Sequence, residues 1–505
     1  MKKIIHYIIC LTSSAYLLAG CDKGFDELNI NKVTPADINP AYVMNNAVIG
    51  VSYPLETIVF ELPIVQQIVT PFGGVLGGGN FNQDNRPRNA GNWIRYYDVT
   101  KSLTDVLNRT KEDDKLTNLY NSARILRSFA AMILTDSYGD VPYSEAGLGY
   151  IGGIVLPKYD SQEDIYKDVL KELDEASAGL DTAKPLVTND VLYGGNISNW
   201  KAFGYSLLLR AAMRLSKVDP ALAQQYVSKA VAGGVMTSNA ANAVIRHTSL
   251  FRNAIGEFLN GSEANNYYLT ANFVQYLQDN NDPRLGSIAV RYAGAKSGTE
   301  QIAARASTNP ADQKGMPMGY DNGSIGAVAT ANGLASFYDY SQLDRNRMGK
   351  NDAPVFLVTY AQTQLLLSEA SVRGWITNDP AALYTAGIKA HMEQLALYVG
   401  AAIPPAGIEA YLTAHPLNVS NQLEEINTQY WVASFLNGPE AFANFRRSGF
   451  PALTPNPFPG KDITTDFIHR LTYPDTEIGI NPENVKAAIS RQGENKLDTR
   501  VWWDK

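Results

Sequence analysis

The sequence predicts a mainly α protein, built of paired helices with one loop-rich, irregular lobe on the side. Three observations carry that prediction. Apolar residues recur at helical spacing over long stretches on both sides of the chain's middle. Helix-starting and helix-ending residues punctuate those stretches. Between about 235 and 350 the rhythm weakens, and Gly, Asn and Ser become frequent. The expected organisation is a single domain over 40–505, with helical repeats at about 93–232 and 354–450 and the lobe at about 235–350.

The 505 residues are 45% hydrophobic and 18% charged, with a net charge of -7, an ordinary globular balance with length for a large core. A mildly acidic chain is a poor partner for phosphate backbones, which disfavours nucleic-acid binding. Both cysteines, Cys10 and Cys21, lie near the N-terminus. None is left for a disulfide or a thiolate metal site in the body. The histidines are scattered, with no pair at helical ligand spacing, so neither a metal nor a cofactor is expected. The 28 Tyr residues offer flat faces with polar tips, suited to packing and to sugar stacking alike.

Lys2 and Lys3 precede an apolar run, Ile4 to Leu18, that ends at Leu18-Ala19-Gly20-Cys21. A basic start, a short apolar centre and small residues before a break describe a secretory signal over 1–20. The Leu-Ala-Gly-Cys ending resembles a bacterial lipobox, which implies cleavage before Cys21 and a lipid on that residue. Acyl chains bury methylenes at roughly 0.8 kcal/mol each, enough to hold a soluble body at a membrane. Residues 21–39 read as a polar tether.

Helices are predicted over Pro40–Ile49, Leu55–Val69 and Trp93–Thr110. The stretch Phe72 to Trp93 reads as loop. Leu119, Ala123, Leu126, Ala130 and Ile133 form the stripe of a long helix that ends at Tyr138-Gly139-Asp140-Val141-Pro142. Ser161-x-x-Asp164 is a capping pattern that opens the next helix. Trp200-x-x-Phe203-Gly204-x-x-Leu207 has the spacing of a tetratricopeptide repeat, where Gly lets two helices approach closely. Gly147-x-Gly149-x-x-Gly152 spells a nucleotide-loop pattern without the strand before it or the helix after it, so it is set aside. Pro354 restarts the helical rhythm. Glu369, Arg284, Arg446, Arg447 and Arg470 are expected to be scaffold.

Five stretches carry a family resemblance: Ser137-Tyr138-Gly139-Asp140-Val141-Pro142-Tyr143, Tyr360 to Ala370, Met392 to Leu395, Ile426 to Pro451, and Arg470 to Asp504. They closely resemble the SusD/RagB family of nutrient-binding outer-membrane lipoproteins. The resemblance implies a SusD-like fold of tetratricopeptide-like helix pairs. It also implies a cell-surface location in the outer membrane and a SusC-like TonB-dependent transporter as partner. The expected ligand is a glycan, with a peptide as the alternative.

A sugar site needs aromatic faces beside amides and guanidinium groups. The candidates are Asn80, Phe81, Arg86, Arg88, Trp93 and Tyr96 around the glycine-rich loop, with Tyr267, Tyr268, Tyr320 and Tyr338 in the lobe. An enzyme, such as a surface glycoside hydrolase, would need two carboxylates about 5 to 9.5 Å apart across a cleft. The sequence singles out no such pair, and a binding protein is the expectation.

Overall fold

The computed structural model describes residues 38–186 and 189–505. The signal, Cys21 and nearly all of the tether lie outside the described residues.

Among the described residues, twelve helices of ten residues or more make the frame: α1 (Pro40–Gly50), α2 (Arg86–Thr110), α3 (Thr117–Tyr138), α4 (Gln162–Ala178), α5 (Ile197–Arg214), α6 (Pro220–Gly233), α7 (Tyr360–Val372), α8 (Pro380–Gln394), α9 (Pro405–Ala414), α10 (Gln422–Ala433), α11 (Gly438–Ser448) and α12 (Pro482–Gln492). Local chemistry sets their ends. The Asn39 side chain accepts from Ala41 N–H, and Pro40 supplies a first position that needs no donor. Ser161 accepts from Asp164 N–H at the start of α4. Thr359 and Gln362 form a reciprocal capping box at α7. At the end of α3 the chain turns through Gly139 at φ 82°.

Two expectations are corrected here. Leu55–Val69 is not one helix but two single turns, Glu56–Val59 and Glu61–Ile64, followed by the strand Ile68–Val69. Phe60 departs from helical geometry at ψ -72°, Pro63 lacks a donor, and Gln66 takes φ 54°. The helix expected from Trp93 starts seven residues earlier, at Arg86, because Pro87 suits a first turn. Arg86 and Arg88 are therefore helical, not loop.

Each helix in the first run packs on its successor, α1 through α6, and α7 packs on α8 and α10 in the second. Contacts of α5 with α7 and of α11 with α3 join the two runs. Gly204 shows why the pairs sit so close. A Cβ there would lie 2.1 Å from Ser177 Oγ on α4 and 2.8 Å from Ile125 on α3. A side chain there would force Ser177 and Ile125 to move, so Gly suits the point where those three helices meet.

The stretch 235–350 is made of short elements. Ala289–Tyr292 is the centre of a three-stranded antiparallel sheet, with Ala306–Ser307 and Gln342–Leu343 at its edges. It is sewn to the helices twice: Ala243–Ile245 pairs with Val355–Val358, and Tyr268–Leu269 pairs with Ile68–Val69. Leu259, Phe273 and Leu285 reach into the main core, while Tyr268, Met316, Ile325 and Tyr340 form a smaller cluster of their own.

Two buried ionic knots cross the frame. Arg447 of α11 meets both oxygens of Glu369 on α7 at 2.6 Å, and Asn427 of α10 and Asn444 complete the set. Burial alone would raise the Glu369 carboxyl. Arg447 and Arg373 more than reverse that and hold it down at about 2. In the second knot Arg214 of α5 bonds Glu440 of α11 at 2.7 Å and lies 3.3 Å from Asp136 of α3. Tyr430 and Trp503 donate to the same two carboxylates. Arg284 is likewise buried, on Asp282 at 2.9 Å. These residues are scaffold.

Replacing Glu369 by Ala strands Arg447 in the core. The expected loss is about 3–5 kcal/mol of stability, read by urea unfolding at pH 7. Wild-type stability would also fall on acidification from about 4.5 toward about 2, as the native carboxylate is protonated.

Candidate functional site

Three loops from distant parts of the chain meet on one face. The first follows Ile68–Val69. Because that strand pairs with Tyr268–Leu269, the loop emerges beside the lobe. Backbone bonds continue the junction: Met316 N–H donates to Leu269 O at 2.8 Å, Ala271 N–H to Met316 O at 2.8 Å, and Leu269 N–H to Ser341 O at 2.8 Å. The segments 316–320 and 337–341 are thereby laid alongside the loop.

The rings gather at this junction. Phe72 meets Phe337 edge-on at 6.1 Å, and Phe337 stacks on Tyr338 at 4.2 Å. All three are half-buried, and Tyr320 is 37% exposed. Tyr268 supports Phe337 from below at 6.3 Å. The turn after Tyr320 is rigid, since Asp321 accepts from Gly323 N–H at 3.1 Å, Ser324 N–H at 2.9 Å and Ser324 Oγ at 2.7 Å. These bonds hold its carboxyl below the usual range.

The third loop, 454–462, locks the other two. A Cβ on Gly319 would lie 2.5 Å from Pro457, so the lobe turn rests directly on this loop. Asn456 donates to Asn80 O at 2.6 Å, and Phe458 stacks on Phe81 at 4.2 Å. Gln66 donates to Thr454 O at 2.6 Å, and the exposed Asn272 amide bonds Gln66 in turn. The result is a half-exposed ring ladder with amide and hydroxyl groups at its edges.

Of the ten candidate residues, Tyr320 and Tyr338 lie on this face. Six others are interior, which corrects their placement on a ligand-facing loop. Asn80 is fully buried and staples the loop from within. Its amide donates to Thr70 O at 2.9 Å and Phe72 O at 3.2 Å, and its oxygen accepts from Gly78 N–H at 2.9 Å. Phe81 is covered by Phe458. Trp93 is 6% exposed, because it sits inside a helix and faces Tyr97, Tyr138, Tyr159 and Tyr473 at 4.8 to 6.0 Å. Tyr96, one helical step on, is wholly in the core. Tyr267 packs against Phe258, and Tyr268 carries the rings above it.

The two arginines are engaged locally. Arg88 holds the loop tip through Val75 O at 3.1 Å and pairs with Glu56 at 3.2 Å. Arg86 pairs with Asp84 and Asp475, and stays partly open to solvent. Phe72 and Phe337 were passed over as site residues. The signal was present, since each is a large ring beside turn residues, Pro71-Phe72-Gly73 and Ser336-Phe337.

Beneath the first loop lies Glu61, buried on the turn that Gly78 and Gly79 cover. Burial pushes its carboxyl up to about 7, against a bond from Asn92 at 2.5 Å that lowers it. Between about 4.5 and 7 the unfolded chain gives up this proton while the native protein keeps it. Stability therefore falls as pH rises through that window. Glu61→Gln should flatten the slope, measured by urea unfolding at pH 5 and pH 8. Trp93→Ala should cost about 3–5 kcal/mol in the same assay, as expected of a core ring.

The SusD-like family pattern, described as starch-binding and associating with the outer membrane, matches residues 31–474. A solved structure named as a chitin-binding protein is 30% identical at TM-score 0.82, covering 92% of this chain and 100% of its own. A Bacteroidetes SusD-like structure is 28% identical at TM-score 0.80, covering 93% and 100%. A chitin-binding SusD homologue from Flavobacterium johnsoniae is 25% identical at TM-score 0.75, covering 92% and 98%. No curated protein matches the chain.

Proposed function

The chain belongs to the SusD-like family of starch-binding proteins that associate with the outer membrane, and we propose that it captures an oligosaccharide at the cell surface for a SusC-like TonB-dependent transporter. Lipid on Cys21 would tether it there through the segment 21–39. The observation that carries the reading is the Phe72–Phe337–Tyr338 ladder. Half-exposed rings fixed by a scaffold offer apolar faces to sugar rings, while nearby amides and hydroxyls read the hydroxyl groups.

Capture without chemistry fits the carboxylates on this face. Asp321 is engaged in its own turn, and Asp339 is buried on Arg291 at 3.0 Å and on the Gly294 and Ala335 N–H groups. Neither is free to act as an acid or a nucleophile across a cleft. The relatives named as chitin-binding make an N-acetylglucosamine oligomer the first probe, with a starch oligomer second.

Tyr338→Ala should weaken binding of the matching oligomer roughly tenfold, since an aromatic contact is worth about 1 kcal/mol or more. Its melting temperature should stay near that of wild type, because the ring is half-exposed. Isothermal titration against chitin, starch and peptide panels checks both points. Wild-type affinity retained in Tyr338→Ala and Phe337→Ala would remove this face from the site. Heat from peptides alone would give the face to a peptide ligand.

A further inference from the structure

A second concavity lies at the other end of the helix that leaves the ring ladder. The helix Ala271–Asp279 starts at Asn272, bonded to Gln66 beside the third loop. Four residues on, Tyr276 faces a cleft of about 590 Å³ between this helix and α8, α9 and α10. The two positions share one helix stripe and stand about 6 Å apart along the axis.

The cleft is floored by rings, and polar groups line its walls. Tyr276 and His415 are half-buried on it, His415 stacking on Tyr411 at 4.1 Å. Gln429, almost fully buried, fixes the floor. Its amide donates to Tyr276 Oη at 3.2 Å and Tyr411 Oη at 3.1 Å, and its oxygen accepts from Arg284 at 2.7 Å. The Tyr384 hydroxyl reaches the cleft without a hydrogen-bond partner among the described residues. On the wall, Glu425 caps Asn418 N–H at 2.9 Å. Its neighbour Glu424 has neither a hydrogen bond nor an ion pair among the described residues. Arg284, the cation beneath, is already matched by Asp282. The accessible charge is therefore negative, over an aromatic floor.

We infer that this cleft is a separate saccharide subsite that takes an amino sugar, its ammonium group held by Glu424 against the Tyr276 and His415 rings. An ammonium gains from the carboxylate and from aromatic faces together. The free phenol of Tyr384 and the Thr428 hydroxyl supply partners for ring hydroxyls. The inference stands apart from the ring ladder, because the two faces use different residues and different chemistry.

Titration of the full-length protein in detergent separates them. The probes are a glucosamine tetramer, its fully N-acetylated counterpart and a tetralysine peptide. Glu424→Gln should weaken the glucosamine tetramer roughly tenfold, as loss of a charged hydrogen bond does, and leave the acetylated tetramer unmoved. Tyr338→Ala should leave Glu424-dependent binding of glucosamine in place. The subsite is overturned if Glu424→Gln changes neither tetramer or both alike, or if tetralysine alone depends on Glu424. Loss of acetylated-tetramer binding in Tyr338→Ala with no effect of Glu424→Gln would keep the ring ladder and discard the cleft. Glu424-dependent glucosamine binding beside a ladder that binds nothing would do the reverse.

Discussion

The structure hangs on charges that have been taken out of water. Arg214, Glu440 and Asp136 tie α3, α5 and α11 together, and Arg447 with Glu369 ties α7 to α11 and α10. Ion pairs of this kind add little net stability over well-packed apolar groups, because desolvation offsets attraction. What they do add is exclusivity. An arginine fork meets a carboxylate in few geometries, which favours the observed register of each helix against its partners. Helices with stripes of Ala and Leu would otherwise slide. The same residues explain how the last strip of chain belongs to the body: Trp503 donates to Asp136 and stacks near Arg446 and Arg214.

That rigidity is what the ring ladder uses. A sugar has weak handles, and each stacked ring or bonded hydroxyl contributes little if the protein must first organise itself. Here the organisation is part of the fold. The rings stand on Tyr268, which stands on a strand pair fixed to the helical core. The glycine-rich loop, which looks free in sequence, is stapled by Asn80 and tied at its tip by Arg88. Polar residues that look like sugar contacts turn out to be the carpentry that holds the rings in place.

Most of the frame was legible from local signals. The stripe from Leu119 to Ile133, the Ser161 cap and the close-packing Gly204 act within a few residues of themselves, and their helices stand where those signals put them. After Pro354 the chain first forms the strand Val355–Val358, and the helix begins only at Tyr360. The breaks at Phe60 and Gln66 were not legible, because backbone geometry there answers to packing against distant segments. The site was legible only in kind. Sequence shows that aromatic and amide residues cluster near turns. It does not show which face of α2 turns inward, and that single fact buries Trp93 and Tyr96. Phe337 and Phe72 gain their role from meeting across some 265 positions, a separation no local pattern encodes.

The contact between Gly319 and Pro457 has a consequence for biogenesis. The loop 454–462, on which the turn at Gly319 rests, is made after the lobe. A ribosome that has finished the lobe has produced every ring of the ladder but not the loop that packs on Asn80, Phe81 and Gly319. Under the proposed function, a chain cut before residue 454 keeps the rings and loses the loop that packs against Asn80, Phe81 and Gly319.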